Sequence, residues 1–123
     1  MRSVWITLLT IAAALAAAIV SGPAAGGTNS QSLEASVTSN GHLALAEVTG
    51  NLVTRLRAGT YVVRVHDLNR KQNFHLYSRS AGVNRRTGVR YVGTSVWTLK
   101  LRKGNYVYFS DSRPSKKVAF RVV

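Results

Sequence analysis

The side chains best able to perform acid–base or metal chemistry in this chain are three histidines and four acidic residues, and cysteine is absent. His42, His66 and His75 could converge as a three-imidazole site for Cu(II) or Zn. They lack the close spacing of ligands that share one helix or one loop. We therefore expect each histidine to be structural. The absence of cysteine also excludes disulfides, thiolate nucleophiles and zinc–thiolate sites.

Two catalytic arrangements can be drawn from the polar residues. Ser110, His75 and Asp67 have the residue types of a nucleophilic triad, but no nucleophile elbow or oxyanion loop accompanies them. Asp67 and Asp111 each follow a strand-like run and could pair as glycosidase carboxylates. Aspartates in such positions commonly accept backbone N–H groups in Asx turns. The sequence therefore predicts that the protein is not an enzyme.

The chain is strongly basic. Its 123 residues include 17 Lys and Arg against 4 Asp and Glu, which gives a formal net charge of +13. Such an excess attracts anionic partners and makes their binding sensitive to salt. No Walker motif, dinucleotide motif or regular aromatic ladder is present, so the sequence predicts no specific recognition of nucleic acid.

The N-terminal segment has the order of a secretory signal peptide. Met1-Arg2 is a short positive region, and an apolar run follows over 4–20. Residues 21–27 are small and turn-forming, as a cleavage region should be. A membrane anchor is the alternative, but a spanning helix needs about 20 apolar residues, so cleavage is favoured. The predicted order is a signal peptide helix over 1–25, a linker over 26–32 and one exported domain over 33–123.

Short alternating runs dominate the exported part and predict an all-β domain. Asn40-Gly41 is a hairpin signal, because both residues tolerate positive φ. In the last run, Val118, Phe120 and Val122 are expected to face inward. Seven or so such runs in about 90 residues predict a β-sandwich. The clearest runs are 33–37, 42–46, 60–66, 96–101, 106–110 and 118–122.

A repeated motif supports corresponding hairpins in this sandwich. Residues 56–62 and 101–107 both read L-R-x-G-x-Y-V, 45 residues apart. The glycine can supply a tight turn into a strand. The rings of Tyr61 and Tyr106 are expected to be buried while each hydroxyl finds a partner at the rim.

Several segments, taken in order, resemble the plastocyanin-like cupredoxins of secreted bacterial proteins. They are LRAGTYVVRVHD, NFHL, GVNRRTGV, VGTSVWTLKLRKGNYVYFSD and AFRVV. The resemblance covers 52–123, with a weaker match from 33. It implies a Greek-key β-sandwich, which in that family holds one type 1 copper for electron transfer.

The resemblance assigns the family's four copper-ligand positions to residues of this chain. The first histidine position falls on His75, and the cysteine position falls on Ser110. The second histidine position falls on Arg113, and the axial methionine position on Lys116 or Lys117. A blue-copper site needs a thiolate and two imidazoles, so we expect no copper and no other cofactor. The alternative is a copper-binding or electron-transfer protein that keeps partial metal affinity through His75.

The same topology would bring three basic loops together at the former copper end of the domain. These loops are 68–73, 78–88 and 110–117, and Asp111 is their only acidic residue. We expect a non-catalytic binding or structural module whose partner is an anionic cell-envelope polymer or lipid surface. The alternative is that the loops are solvated and keep an exported protein soluble. The candidate anion-binding residues are Arg70, Lys71, Arg79, Arg85, Arg86, Arg113, Lys116 and Lys117.

Overall fold

Nine strands form the part of the chain that the computed structural model describes, residues 30–123. The predicted all-β class is confirmed for these residues, whereas the signal peptide lies outside them. Within 30–123, no helix has the length and apolar character needed to cross a membrane. The strands are β1 (Gln31–Val37), β2 (Leu43–Glu47), β3 (Arg55–Leu56), β4 (Gly59–Asp67), β5 (His75–Ser78), β6 (Val83–Arg86), β7 (Gly93–Leu101), β8 (Gly104–Phe109) and β9 (Val118–Val122).

The strands form two sheets, as a sandwich requires. One sheet has the order β2-β1-β4-β7, and the other has the order β3-β9-β8-β5-β6. Strands β1 and β4 pair in parallel, as do β3 and β9, and the other pairs are antiparallel. Both sheets are therefore mixed, and the predicted β-sandwich is confirmed.

Alternating side chains from both sheets fill the core. In β4 the residues Tyr61, Val63 and Val65 are buried, as the period-two pattern predicted. In the five-stranded sheet, Phe74 directly before β5 stacks on Tyr108 of the central strand β8, with ring centroids 5.1 Å apart. Burial of each large apolar side chain contributes about 1.5–3 kcal/mol. Because the chain has no disulfide, this core is its main source of stability.

The repeated motif forms two equivalent corners, and the expectation of hairpins is wrong, because each copy connects a strand of one sheet to a strand of the other, β3 to β4 and β7 to β8. The Tyr61 hydroxyl donates to the carbonyl of Arg57 at 2.7 Å. The Tyr106 hydroxyl donates to the carbonyl of Arg102 at 2.8 Å. Both rings are buried, so each tyrosine joins the core to the chain four residues upstream.

The structure also differs from the sequence expectations in β1, β6 and β9. Strand β1 begins at Gln31, inside the expected linker. Strand β6 lies inside the expected loop 78–88, and its sequence Val-Asn-Arg-Arg has one buried residue and no alternation to reveal it. The expectation that Val118 faces inward is wrong, because this residue is 42% exposed at the end of the sandwich.

Candidate functional site: a cavity at one end of the sandwich

Four connections meet at one end of the sandwich, which we call the loop end. They are residues 38–42, 68–74, 87–92 and 110–117. Strand pairing brings them together, since β1 and β4 run in parallel and Leu68 N donates to the carbonyl of Val37 at 2.9 Å. The loop end is therefore positioned by backbone hydrogen bonds of both sheets.

Asn73 fastens three of these connections to one another. Its Oδ1 accepts the N–H of Asp111 at 2.7 Å, and its Nδ2 donates to the Thr87 carbonyl at 2.8 Å and to Asp111 Oδ2 at 2.9 Å. The Asn73 side chain is fully buried. The Thr87 hydroxyl also accepts the N–H of Phe74 at 3.0 Å. These bonds fix the start of β5 against the end of β8.

The hydroxyl of Ser110 is fully occupied by protein groups. Its Oγ accepts the N–H of Asn73 and the N–H of Ser112, each at 3.2 Å. It also lies 3.4 Å from Asn73 Oδ1, to which its hydrogen points. A hydroxyl has one donor and two acceptor lone pairs, so nothing remains for a metal ion.

His75 lies on the outer face of the five-stranded sheet, because the next residue, Leu76, points into the core. Its Nδ1 is 2.7 Å from Asp111 Oδ1, and its Nε2 is 2.6 Å from Asn84 Oδ1. The ring packs against Phe109 with centroids 4.7 Å apart. Both nitrogens are engaged, and His75 contacts neither Ser110 nor Asp67 in the manner of a catalytic triad.

The two aspartates of the loop end have different partners. Burial raises the pKa of Asp67, although the N–H of Asn69 and the Thr87 hydroxyl oppose this rise. Burial also acts to raise the pKa of Asp111. Hydrogen bonds from His75 and Asn73, with the charges of His75 and Arg86, outweigh it and hold this pKa below its ordinary value. The Asx turn expected at Asp67 is present, and the two carboxylates share no partner.

The three histidines do not converge. His66 contacts Glu34 at 2.7 Å and Thr94 at 3.1 Å on the outer face of the other sheet. His42 lies in the connection between β1 and β2, where its N–H donates to the Thr38 hydroxyl. Within residues 30–123, no three His, Asp or Glu side chains gather closely enough to hold a metal ion.

A cavity of about 220 Å³ opens at the loop end, between the connections 38–42, 68–74 and 110–117. It brings together the predicted positions Ser110, Arg113 and Lys116. His75 is not among its lining residues, and neither is Lys117, whose ammonium lies 4.8 Å from the Phe109 ring centroid. The lining residues are Gly41, His42, Leu43, Gln72, Ser110, Arg113, Lys116 and Val118.

Gln72 is the lining residue that the sequence did not single out. Its side chain is 7% exposed, and its Oε1 has no hydrogen-bond partner within the described residues. Gly41, at φ +85°, packs opposite it, so that a Cβ there would lie 3.5 Å from Gln72 Cγ. This glutamine belongs to no sequence motif, and the resemblance assigned the ligand position in this segment to His75.

The basic residues divide between the two ends of the sandwich. Arg79 lies in the turn 79–82, where the Ser78 hydroxyl donates to the Asn105 carbonyl at the start of β8. Strand β8 has six residues and spans about 20 Å, so Arg79 is far from the loop end. Arg85 lies over the Trp97 ring at 5.2 Å. The sequence did not single out Arg90, which also lies at the loop end. The cations there are Arg70, Lys71, Arg86, Arg90, Arg113, Lys116 and Lys117.

The residues of this cavity do not fit a type 1 copper ion. The Ser110 oxygen is saturated, and Gln72 Oε1 is a neutral acceptor. Arg113 and Lys116 carry fixed positive charge. A unit charge at about 4 Å opposes each unit of metal charge by about 4 kcal/mol at an effective dielectric near 20. A blue-copper site requires a thiolate and two imidazoles, whereas the cavity contains no thiolate and a single imidazole, that of His42.

Comparison with known proteins identifies the fold. No protein-family model and no curated protein sequence matches the chain. Rusticyanin from Thiobacillus ferrooxidans is similar in structure, with a TM-score of 0.56 and 16% identity over 83% of this chain and 86% of that one. Reduced rusticyanin gives the same TM-score and identity over 88% of its chain, and another rusticyanin structure is described as that of a copper protein. The chain therefore has a cupredoxin-like fold, as its sequence resemblance predicted.

Proposed function

We propose that this chain is an exported, non-catalytic binding module that uses the cupredoxin-like fold to bind anionic partners at its loop end. The single observation that carries this proposal is that Arg113 and Lys116 line the cavity, whereas no carboxylate lines it. A site that repels a metal cation attracts an anion by the same charges. Export follows from the N-terminal sequence pattern.

The charge around the cavity supports an anion-binding face. Asp111 is the acidic residue of the loop 110–117, and it is engaged by His75, Asn73 and Arg86. Among the cations that we assign to the loop end, only Arg86 pairs with a carboxylate within residues 30–123. Clustered charge of one sign in converging loops focuses the electrostatic potential toward the solvent.

The polar residues that could perform catalysis support a structural interpretation. His75, Asp111 and Asn73 form one hydrogen-bonded group that holds the loop end together. Asp67 closes a turn with the N–H of Asn69. Each of these groups already has the partners that a structural role requires, so no free base faces a nucleophile.

The partner that fits this face is an anionic cell-envelope polymer or an anionic lipid surface. Both present repeated negative groups without a sequence to be read. Specific binding of nucleic acid needs side chains that reach base edges, or aromatic side chains on which bases stack in series. The loop end offers mainly flexible Arg and Lys side chains, which favour phosphate or carboxylate contacts.

Chromatography on an immobilised anionic polymer such as heparin tests this proposal. One variant reverses four charges at the loop end, by Arg70→Glu, Lys71→Glu, Arg113→Glu and Lys116→Glu. Its matched control reverses four charges at the opposite end. The control substitutions are Arg57→Glu, Arg79→Glu, Arg102→Glu and Lys103→Glu.

Both variants have the same net charge, so a difference between them reports the location of the binding face. We expect the wild type to elute only at high salt, since counterions screen exposed charges. The loop-end variant should elute much earlier than the control. Equal elution of the two variants would contradict a binding face at the loop end, and melting curves verify that both are folded.

A further inference from the structure

The cavity at the loop end supports a more specific inference, which rests on the proposed function. We propose that this cavity binds a phosphate group that carries an O–H, as inorganic phosphate does near neutral pH and as a phosphate monoester does below its second pKa of about 6. The positive side of the site is Arg113 and Lys116, and its neutral recognition element is Gln72.

The two cations are held on one rim of the cavity by consecutive turns. Arg113 N donates to the Ser110 carbonyl at 2.9 Å, and Lys116 N donates to the Arg113 carbonyl at 3.0 Å. Since the Ser110 hydroxyl is occupied by Asn73 and Ser112, the rim is anchored to the buried part of the loop. The guanidinium fork matches two phosphate oxygens, and the ammonium adds a point charge.

No carboxylate lines this cavity. Its remaining polar residue besides His42 and Ser110 is Gln72, and its apolar residues are Leu43 and Val118. An anion in the cavity would therefore meet positive charge and neutral groups, without a like charge to oppose it.

Gln72 determines which anions fit. Buried side-chain acceptors almost always have a donor, yet Gln72 Oε1 has none within the described residues. The terminal torsion of a glutamine is broad, so the amide can turn this oxygen toward a ligand in the cavity. A phosphate O–H would donate to Oε1 while the charged oxygens accept from Arg113 and Lys116.

Other common anions cannot satisfy this glutamine oxygen. An ionised carboxylate is an acceptor only, and sulfate carries no O–H near neutral pH. Phosphate diesters also lack the donor. The orphan acceptor therefore favours inorganic phosphate, or a monoester that keeps its second proton below about pH 6, over carboxylate, sulfate and diester groups.

The size of the cavity suits a small group. Its volume of about 220 Å³ lies below the roughly 300–1,000 Å³ of sites for drug-sized ligands. It corresponds to about seven water molecules at roughly 30 Å³ each. A phosphate group fits this space, and Leu43 and Val118 would contact the first carbons of an ester.

Isothermal titration calorimetry with inorganic phosphate and sodium sulfate, in the same buffer and ionic strength, tests the inference. We expect phosphate to bind wild-type protein at least about tenfold more tightly than sulfate, because one hydrogen bond is missing with sulfate. Gln72→Met keeps a side chain of similar length and should bring the two affinities to within about twofold of each other. If Gln72 had only a structural role, Gln72→Met would still bind phosphate more tightly than sulfate.

Adjacent lysines provide a matched control for charge. Lys116 lines the cavity, whereas Lys117 lies over the Phe109 ring. Lys116→Gln should weaken phosphate binding at least about fivefold, since a charge-assisted contact is lost. Lys117→Gln should change it less than about twofold, because its ammonium lies over the Phe109 ring and Lys117 does not line the cavity. Equal effects of the two substitutions, or equal affinities of wild-type protein for phosphate and sulfate, would overturn the inference.

Two further titrations distinguish the sources of the phosphate group. Both are run at about pH 5.5, where a monoester largely keeps its O–H. One uses soluble glycerol phosphate, and the other uses vesicles of phosphatidylcholine that contain phosphatidic acid. Tighter binding to the vesicles assigns the site to a lipid headgroup, and binding to the soluble ester alone assigns it to a free metabolite. Binding to neither overturns the inference. If these titrations fail while loop-end charge still controls heparin elution, the phosphate site is wrong and the proposed function stands.

Discussion

The side-chain oxygen of Asn73 lies 2.7 Å from the backbone nitrogen of Asp111, and this contact joins the connection before β5 to the connection after β8. Gln72, which precedes Asn73, and Ser110, which precedes Asp111, both line the cavity. The contact therefore fixes two lining residues of the cavity relative to each other. It is made by a residue that has no free group for a ligand of its own.

Replacement of this amide should destabilise the whole domain. Asn73→Ala leaves the N–H of Asp111 and the Thr87 carbonyl without their partners. Unsatisfied buried groups cost about 1–3 kcal/mol each, so we expect a loss of about 3 kcal/mol in the free energy of unfolding. Urea unfolding followed by tryptophan fluorescence measures it. The exposed residue Asn51 supplies a control, since Asn51→Ala should change stability by less than about 0.5 kcal/mol.

The paired tyrosine corners should contribute equally and independently. Tyr61→Phe and Tyr106→Phe each remove one hydroxyl that donates to a backbone carbonyl. We expect each to lower the free energy of unfolding by about 1 kcal/mol. The double variant should lose the sum to within about 0.5 kcal/mol, because the two corners share no partner. Tyr77→Phe on the outer face is the control, and a similar loss there would refute the role of the corner bonds.

The stability of the domain should fall in acid through Asp111. Because the folded pKa of Asp111 lies below its ordinary value of 3.8, its ionised form stabilises the folded state above that value. This contribution is lost as the pH falls from about 5 through the folded pKa. Asp67 acts in the opposite sense, since a raised folded pKa makes protonation favour the folded state.

A series of urea unfolding curves at decreasing pH measures this effect. The wild type should lose stability in acid more steeply than Asp111→Asn, which is less stable near neutral pH and has no carboxylate to titrate. Asp67→Asn is the matched control and should not flatten the acid loss. An identical acid dependence in wild type and Asp111→Asn would show that the His75 and Asn73 contacts do not stabilise the carboxylate.

Sequence patterns revealed those elements whose burial alternates. Strand β4 shows its period because Tyr61, Val63 and Val65 enter the core while Arg64 is exposed. Strands β5 and β6 have four residues each, and β6 contains polar residues such as Asn84, so the sequence shows no alternation that would predict their pairing. Gln72 could not be found in the same way, since its importance depends on a cavity that is formed by segments distant in sequence.

Restoring ligands at the cavity tests which residue occupies the first ligand position. A variant with Gln72→His, Ser110→Cys, Arg113→His and Lys116→Met places the family's four ligand types around the cavity. We expect it to bind Cu(II) with an intense thiolate charge-transfer absorption. Both variants also carry His42→Ala, because His42 itself lines the cavity. The same variant without Gln72→His then keeps His75 as its nearby histidine and should lack that absorption. Equal absorption in both would show that His75 reaches the cavity.

The copper content of the wild-type protein tests the central claim most directly, namely that the cavity of this cupredoxin-like fold does not hold copper. Purified protein is loaded with excess Cu(II), dialysed against buffer without a strong chelator, and measured by elemental analysis. We predict far less than one copper per chain, because Ser110 is saturated and Arg113 and Lys116 repel a cation. One tightly retained copper per chain would contradict it.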